Sequence, residues 1–169
     1  YSSAIPLIYQ IDIIFVKFFF SDHASSSYIV VSSIAKTIYI IPAVLNSYFF
    51  DLVLLKNYKK LFYNLVLFLI IIFFAYFFLF FSKEYLISFL YDEKYLLSID
   101  SFVYILTGFT FLAVSNFCFQ FFLANKDFTF LTYLILCIAV YIFLNLNYNS
   151  EVVLIAKIFL FSVFLLFLF

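Results

Sequence analysis

The sequence has no Met, no Trp and no Arg, and it holds one Gly, one His, two Cys and two Pro in 169 residues. Each shortage closes off a chemistry. A lone glycine, Gly108, cannot build a Gly-rich phosphate loop or a dinucleotide fingerprint. A lone histidine, His23, rules out an HExxH site. It sits in a short polar break beside Ser21 and Asp22, with no placed partners for a nucleophilic triad, and reads as a surface loop residue. Cys118 and Cys137 lie inside apolar runs, in neither CxxC nor metal-ligand spacing, and read as small buried hydrophobes. No metal site and no cofactor is expected, and the chain does not read as an enzyme. Charge is as scarce as chemistry. Only 11% of residues are charged, and nine Lys balance nine acids, so no basic face is available for nucleic acid.

What the chain has in abundance is apolar surface. Hydrophobic residues make up 69% and aromatic residues 27%. A soluble domain is about half apolar and roughly a quarter charged. Too little polar surface remains to solvate a globule of this size, so the solvent for most of it must be lipid. The bias toward Phe, Ile, Tyr, Asn and Lys fits an AT-rich coding sequence, and the number of Phe residues is given no functional weight. A signal peptide does not account for the apolarity. No basic region precedes the first apolar run, and such runs recur throughout. The missing initial Met and the apolar run reaching Phe169 give the expectation of a fragment of a longer protein.

A membrane-spanning helix needs about 20 mostly apolar residues, because the hydrocarbon core is roughly 30 Å thick and each residue rises about 1.5 Å. That ruler predicts six helices: 5–20, 26–55, 61–81, 102–124, 128–145 and 152–169. The runs show no alternation and are too long for barrel strands, so the expected fold is an all-α polytopic bundle. Residues 21–25, 56–60, 125–127 and 145–151 read as turns between antiparallel neighbours. In the longer break, 82–100, the apolar residues Tyr85, Leu86, Phe89 and Leu90 beside Lys83, Glu84 and Asp92 predict a short amphipathic helix at the interface. Lys56, Lys59, Lys60 and Lys126 gather on one face, which the positive-inside rule makes cytoplasmic.

Ionisable groups inside the bilayer carry the remaining signal. Each costs about 2.5 to 3.5 kcal/mol near a helix centre on insertion scales, so it is usually paired or faces a wet cavity. Asp12 and Lys36 are the deepest in their segments, whereas Lys17 and Lys157 lie nearer an end, within reach of headgroups. Ser32, Ser33, Lys36, Tyr39, Ala43, Asn46 and Ser47 recur at three- and four-residue steps, and Pro42 leaves the Ile38 carbonyl without its helical donor. Ala113, Asn116 and Gln120 form a shorter stripe. These stripes read either as cavity lining or as hydrogen-bonding glue between helices.

The order of these features is similar to the second half of the polysaccharide-type flippases that move O-antigen and capsule repeat units, in the superfamily that also holds multidrug exporters. The features are Asp12 in a helix ending Phe18-Phe19-Phe20, then Tyr28, then Ser33-Ile34-Ala35-Lys36 through Ile41-Pro42-Ala43. A basic connection, an uncharged helix and Leu90-Tyr91-Asp92-Glu93-Lys94-Tyr95 follow. The likeness spans about residues 7–126. Asp92 departs from it, standing where those proteins usually have Gly. The resemblance implies a C-terminal six-helix lobe, 1–169, whose N-terminal lobe is a further part of the same protein. It implies translocation of undecaprenyl-pyrophosphate-linked oligosaccharide across the inner, cytoplasmic membrane by alternating access. Asp12, Lys36, Asn46, Asn116 and Gln120 are the expected substrate-binding residues, Lys36 suiting the pyrophosphate, with membrane lipids as further partners. The competing readings are a cation-coupled drug or small-molecule exporter of the same superfamily, and a packing subunit of a multi-subunit membrane complex.

Overall fold

A computed structural model describes residues 4–168; the side chains of residues 4–8, Asn46 and Leu168 lie outside that description. The described residues form helices joined by short connections, with no strand among them. The helices are α1 (Ala4–Phe19), α2 (Asp22–Ala35), α3 (Ile40–Leu54), α4 (Tyr58–Leu90), α5 (Ile99–Ala124), α6 (Thr129–Asn147) and α7 (Val152–Leu168). A 3₁₀ turn, Lys36–Tyr39, joins α2 to α3 without a loop, so the two form one continuous helical segment. Four segments, Asp22–Leu54, Tyr58–Leu90, Glu93–Ala124 and Thr129–Asn147, are long and apolar enough to cross a membrane; Val152–Phe167 is a shorter apolar helix. The fold is an all-α bundle of the membrane-embedded kind.

Pro42 accounts for the join. Without an amide hydrogen it cannot bond the Ile38 carbonyl, and the preceding turn tightens into 3₁₀ geometry. The tightening changes which residues face inward. A 3₁₀ turn advances about 120° per residue against about 100° in an α-helix, so four such residues rotate the buried face by most of a quadrant. Ser32, Lys36 and Tyr39 are buried, whereas Ala43 and Ser47 are exposed. The stripe expected to run unbroken from Ser32 to Ser47 is therefore split at the turn.

The separate interfacial helix expected in 82–100 does not exist; those residues extend α4, which runs for 33 residues. No Gly or Pro lies between Tyr58 and Leu90 to stop it. At about 50 Å it is longer than the hydrocarbon core is thick. A second 3₁₀ turn, Glu93–Ser98, then leads into α5. Asp92 is extended (φ −171°, ψ 153°), a conformation open to any residue.

Helix α5 is the centre of the bundle and packs against α2, α3, α4 and α7. Its Phe102, Ile105, Leu106 and Phe109 are fully buried. Gly108 sets its spacing to α7: a Cβ there would lie 2.8 Å from the Phe159 ring and 3.6 Å from the Leu160 Cα. Helix α4 is the opposite case, with Phe62, Phe73, Phe74, Phe78 and Phe81 all exposed. A face this apolar suits lipid rather than water.

Two connections share one device. Lys56 and Lys126 are left-handed (φ 53° and 57°). Lys56 and Asn57 return hydrogen bonds to the Val53 and Leu52 carbonyls, and Lys126 and Asp127 to those of Leu123 and Phe122. Both are Schellman endings with Lys where Gly is usual. Beyond the second, the Asp127 carboxylate accepts from the Thr129 backbone N–H at 3.0 Å and the Thr129 hydroxyl at 2.7 Å. Those bonds, the backbone one first, hold the carboxyl below its usual range.

Candidate functional site

Tyr28, Ser32 and Lys36 are spaced four residues apart, so α2 presents them on one side, toward Asp12 of α1. The Lys36 ammonium donates to Asp12 Oδ1 at 2.7 Å, and the Tyr28 and Ser32 hydroxyls each donate to Asp12 Oδ2 at 3.1 Å. Lys36 also donates to the Tyr9 backbone carbonyl at 2.7 Å. Both charged residues are completely buried (0% exposed). The carboxylate thus has donors on both oxygens and the ammonium has two strong acceptors. A charge pair removed from water needs that degree of satisfaction to be tolerated.

The ammonium is also walled by rings. It lies 5.1 Å from the Tyr9 ring centroid and 5.3 Å from that of Phe109. Tyr9 meets Phe109 edge-on at 5.3 Å, and Tyr39 meets the same ring at 6.2 Å. Ring faces attract a cation most where water is excluded, by about 2 kcal/mol each in favourable cases. The wall continues inward, since Phe109 stacks on Phe159 at 5.0 Å and Tyr141 meets Phe159 edge-on. A pocket that binds a cation through rings, a carboxylate and a carbonyl is therefore filled by a residue of the chain itself.

The other expected site residues are only partly gathered here. Asn116 is buried on α5 and interacts with the Tyr39 hydroxyl, which places it one layer from the ion pair. Gln120 lies one turn further along α5 and is half-buried. The backbone of Asn46 lies in α3, past the 3₁₀ turn, and its side chain is outside the described set. Asp12 and Lys36 line neither the cavity of about 20 Å³ beside Ile11 and Tyr141 nor the groove between α5 and α7.

The hydroxyl donors Tyr28 and Ser32, and the rings of Tyr9 and Phe109, were not among the expected site residues. The four-residue spacing of Tyr28, Ser32 and Lys36 was available to find the donors, and Tyr9 lies three residues before Asp12 on the same helix; nothing local marks Phe109, which arrives from α5. Among the described residues no three His, Cys, Asp or Glu side chains group as metal ligands. The arrangement ties α1 to α2 through a charge pair whose strong donors and acceptors are all engaged. Comparison with known proteins finds no match for this chain among family models, curated proteins or solved structures.

Proposed function

We propose that this chain is a six-helix lobe of a membrane transporter, of the type that moves pyrophosphate-linked oligosaccharide lipids across the cytoplasmic membrane, and no enzyme. The observation that carries the reading is a fully buried Asp12–Lys36 pair set at the break between α2 and α3. Ionisable groups at membrane depth cost several kcal/mol and mark substrate or ion paths more often than packing. A helix break is where a segment can bend between two arrangements. In this reading the pair is the closed, substrate-free arrangement. Opening the lobe exposes Lys36 to the anionic head of the substrate, with Asn116 and Gln120 along the same route, and Asp12 retains its two hydroxyl donors while Lys36 is away. The resemblance of residues 7–126 to the flippases selects this substrate class over a small-molecule exporter.

One observation favours a second reading. Asp12 and Lys36 have full sets of partners, as a fixed staple between α1 and α2 would. Substitutions in the intact protein separate the two. For transport, the double variant of Lys36→Ala with Asp12→Ala, which strands no charge, is expected at normal abundance without translocation of lipid-linked oligosaccharide in a flippase-deficient cell; for a staple alone it translocates. In either reading Lys36→Ala by itself lowers abundance, because one partner of a buried pair is stranded at a cost of about 3–5 kcal/mol, and the double variant recovers it. Normal translocation by an abundant double variant would end the binding role.

A further inference from the structure

Helices α5 and α7 run parallel, in matched register. Gly108 meets residues 159–160, the Lys157 ammonium lies 5.3 Å from the Tyr104 ring centroid one turn earlier, and Phe111 meets Phe164 edge-on at 5.6 Å one turn later. Between them runs a groove of about 310 Å³, lined by Tyr104, Thr107 and Phe111 on α5 and by Lys157, Leu160 and Phe164 on α7. Its two ends differ in chemistry. Lys157 stands at one end, five residues into α7, roughly 7.5 Å along the axis from Val152. A lysine stem placed there reaches the headgroup layer while its methylenes stay against apolar surface. Beyond it the groove continues over Leu160, Phe111 and Phe164, with nothing polar on the α7 side.

Lys157 is exposed, and among the described residues no carboxylate pairs with it. Lys36, which is enclosed in the bundle, is neutralised by Asp12. The Thr107 hydroxyl is engaged with the Tyr76 hydroxyl of α4 at 3.1 Å, which closes one flank of the groove. What is left is an uncompensated cation heading an apolar channel on an exposed face of the bundle. We propose that the α5–α7 groove is a site for a single anionic phospholipid, its phosphate on Lys157 and the Tyr104 hydroxyl and one acyl chain laid along Leu160 and Phe164. The charge selects the headgroup and the apolar run selects an attached chain over a free phosphate. The site is separate from the Asp12–Lys36 network and stands whether or not the chain transports anything.

The test titrates delipidated protein in detergent with phosphatidylglycerol or phosphatidylcholine and counts retained lipid by native mass spectrometry. Phosphatidylglycerol is expected to be retained about fivefold better, the contribution of one lysine near an anionic headgroup. Lys157→Gln should bring it down to the phosphatidylcholine level, Lys157→Arg should keep it, and Lys59→Gln should leave it unchanged. Glycerol phosphate should not displace it; displacement at equal concentration would mean a phosphate site and overturn the lipid. A second measurement leaves Lys157 in place. With Cys118 and Cys137 replaced, a fluorophore on Phe161→Cys should be quenched more by brominated-chain phosphatidylglycerol than by brominated phosphatidylcholine. Equal retention of the two lipids, full retention by Lys157→Gln, or equal quenching would each overturn the proposal.

Discussion

Gly108 shows how much one missing side chain can fix in a bundle without polar design. Lipid supplies no strong drive for apolar helices to associate, so close packing does much of it, and small residues let backbones approach. The Phe159 ring fills the space a Cβ would take and is itself held between Phe109 and Tyr141. Ala at 108 therefore has to push a buried ring that is stacked on one side and met edge-on by another. Gly108→Ala is expected to lower stability by about 1–3 kcal/mol, the usual range for overpacking. Adding Phe159→Leu should return part of that loss, measured as the thermal midpoint in detergent. A Gly108→Ala protein as stable as the parent would mean that α5 and α7 do not meet there. At this scale the sequence was partly legible. Asp12 and Lys36 stood out because a charge in an apolar run is rare, whereas the role of Phe109 was hidden among thirty phenylalanines.

Helices were the most legible part, since twenty apolar residues in a row leave the backbone no other way to satisfy its hydrogen bonds in lipid. Their ends were less so. The interfacial helix looked separate because charges entered at Lys83 and Glu84, yet a helix leaving the bilayer continues until a residue stops it, and none does before Tyr91. The stripe along α2 and α3 was drawn at a constant period, and the 3₁₀ turn before Pro42 broke the period. Ends that are set by backbone geometry can be tested directly. Lys126 adopts φ 57° in its Schellman ending, which an L-residue tolerates at about 1 kcal/mol and Gly adopts freely. Lys126→Gly is expected to stabilise the protein by about 0.5 kcal/mol after allowing for the greater freedom of Gly in the unfolded chain. Lys126→Val should destabilise it by more than that, because a β-branched residue is the least able to take up this conformation. Equal midpoints for all three proteins would remove the left-handed turn from this connection.

The whole molecule has two faces, and its charges are divided between them. The parallel register of α5 and α7 requires an intervening return through α6, so the connections after α3 and α5 share one face and those after α1, α4 and α6 share the other. The first face carries Lys56, Lys59, Lys60 and Lys126. The second carries the acids Asp22, Glu84, Asp92, Glu93, Asp100 and Glu151, with Lys83 and Lys94. Basic residues close to helix ends are retained on the cytoplasmic side, and acids count little in that choice. The three lysines within five residues at 56–60 dominate, because they sit at the start of Tyr58–Leu90, a helix with an uncharged apolar run from Leu65 to Phe81. Single cysteines at Asn57 and Glu93, both exposed, in a background without Cys118 and Cys137, read the arrangement out. In intact cells a membrane-impermeant maleimide is expected to label the cysteine at 93 and spare the one at 57, and opening the membrane should make both react. The lysines allow a second step. Replacing Lys56, Lys59 and Lys60 by Gln leaves Lys126 alone on that face against Lys83 and Lys94, with Lys17 and Lys157 near them, so a fraction of the chains is expected to insert inverted and label at 57 from outside. Labelling of both positions from one side in the parent protein would mean that α4 does not cross the membrane, and with it the six-pass arrangement would fall.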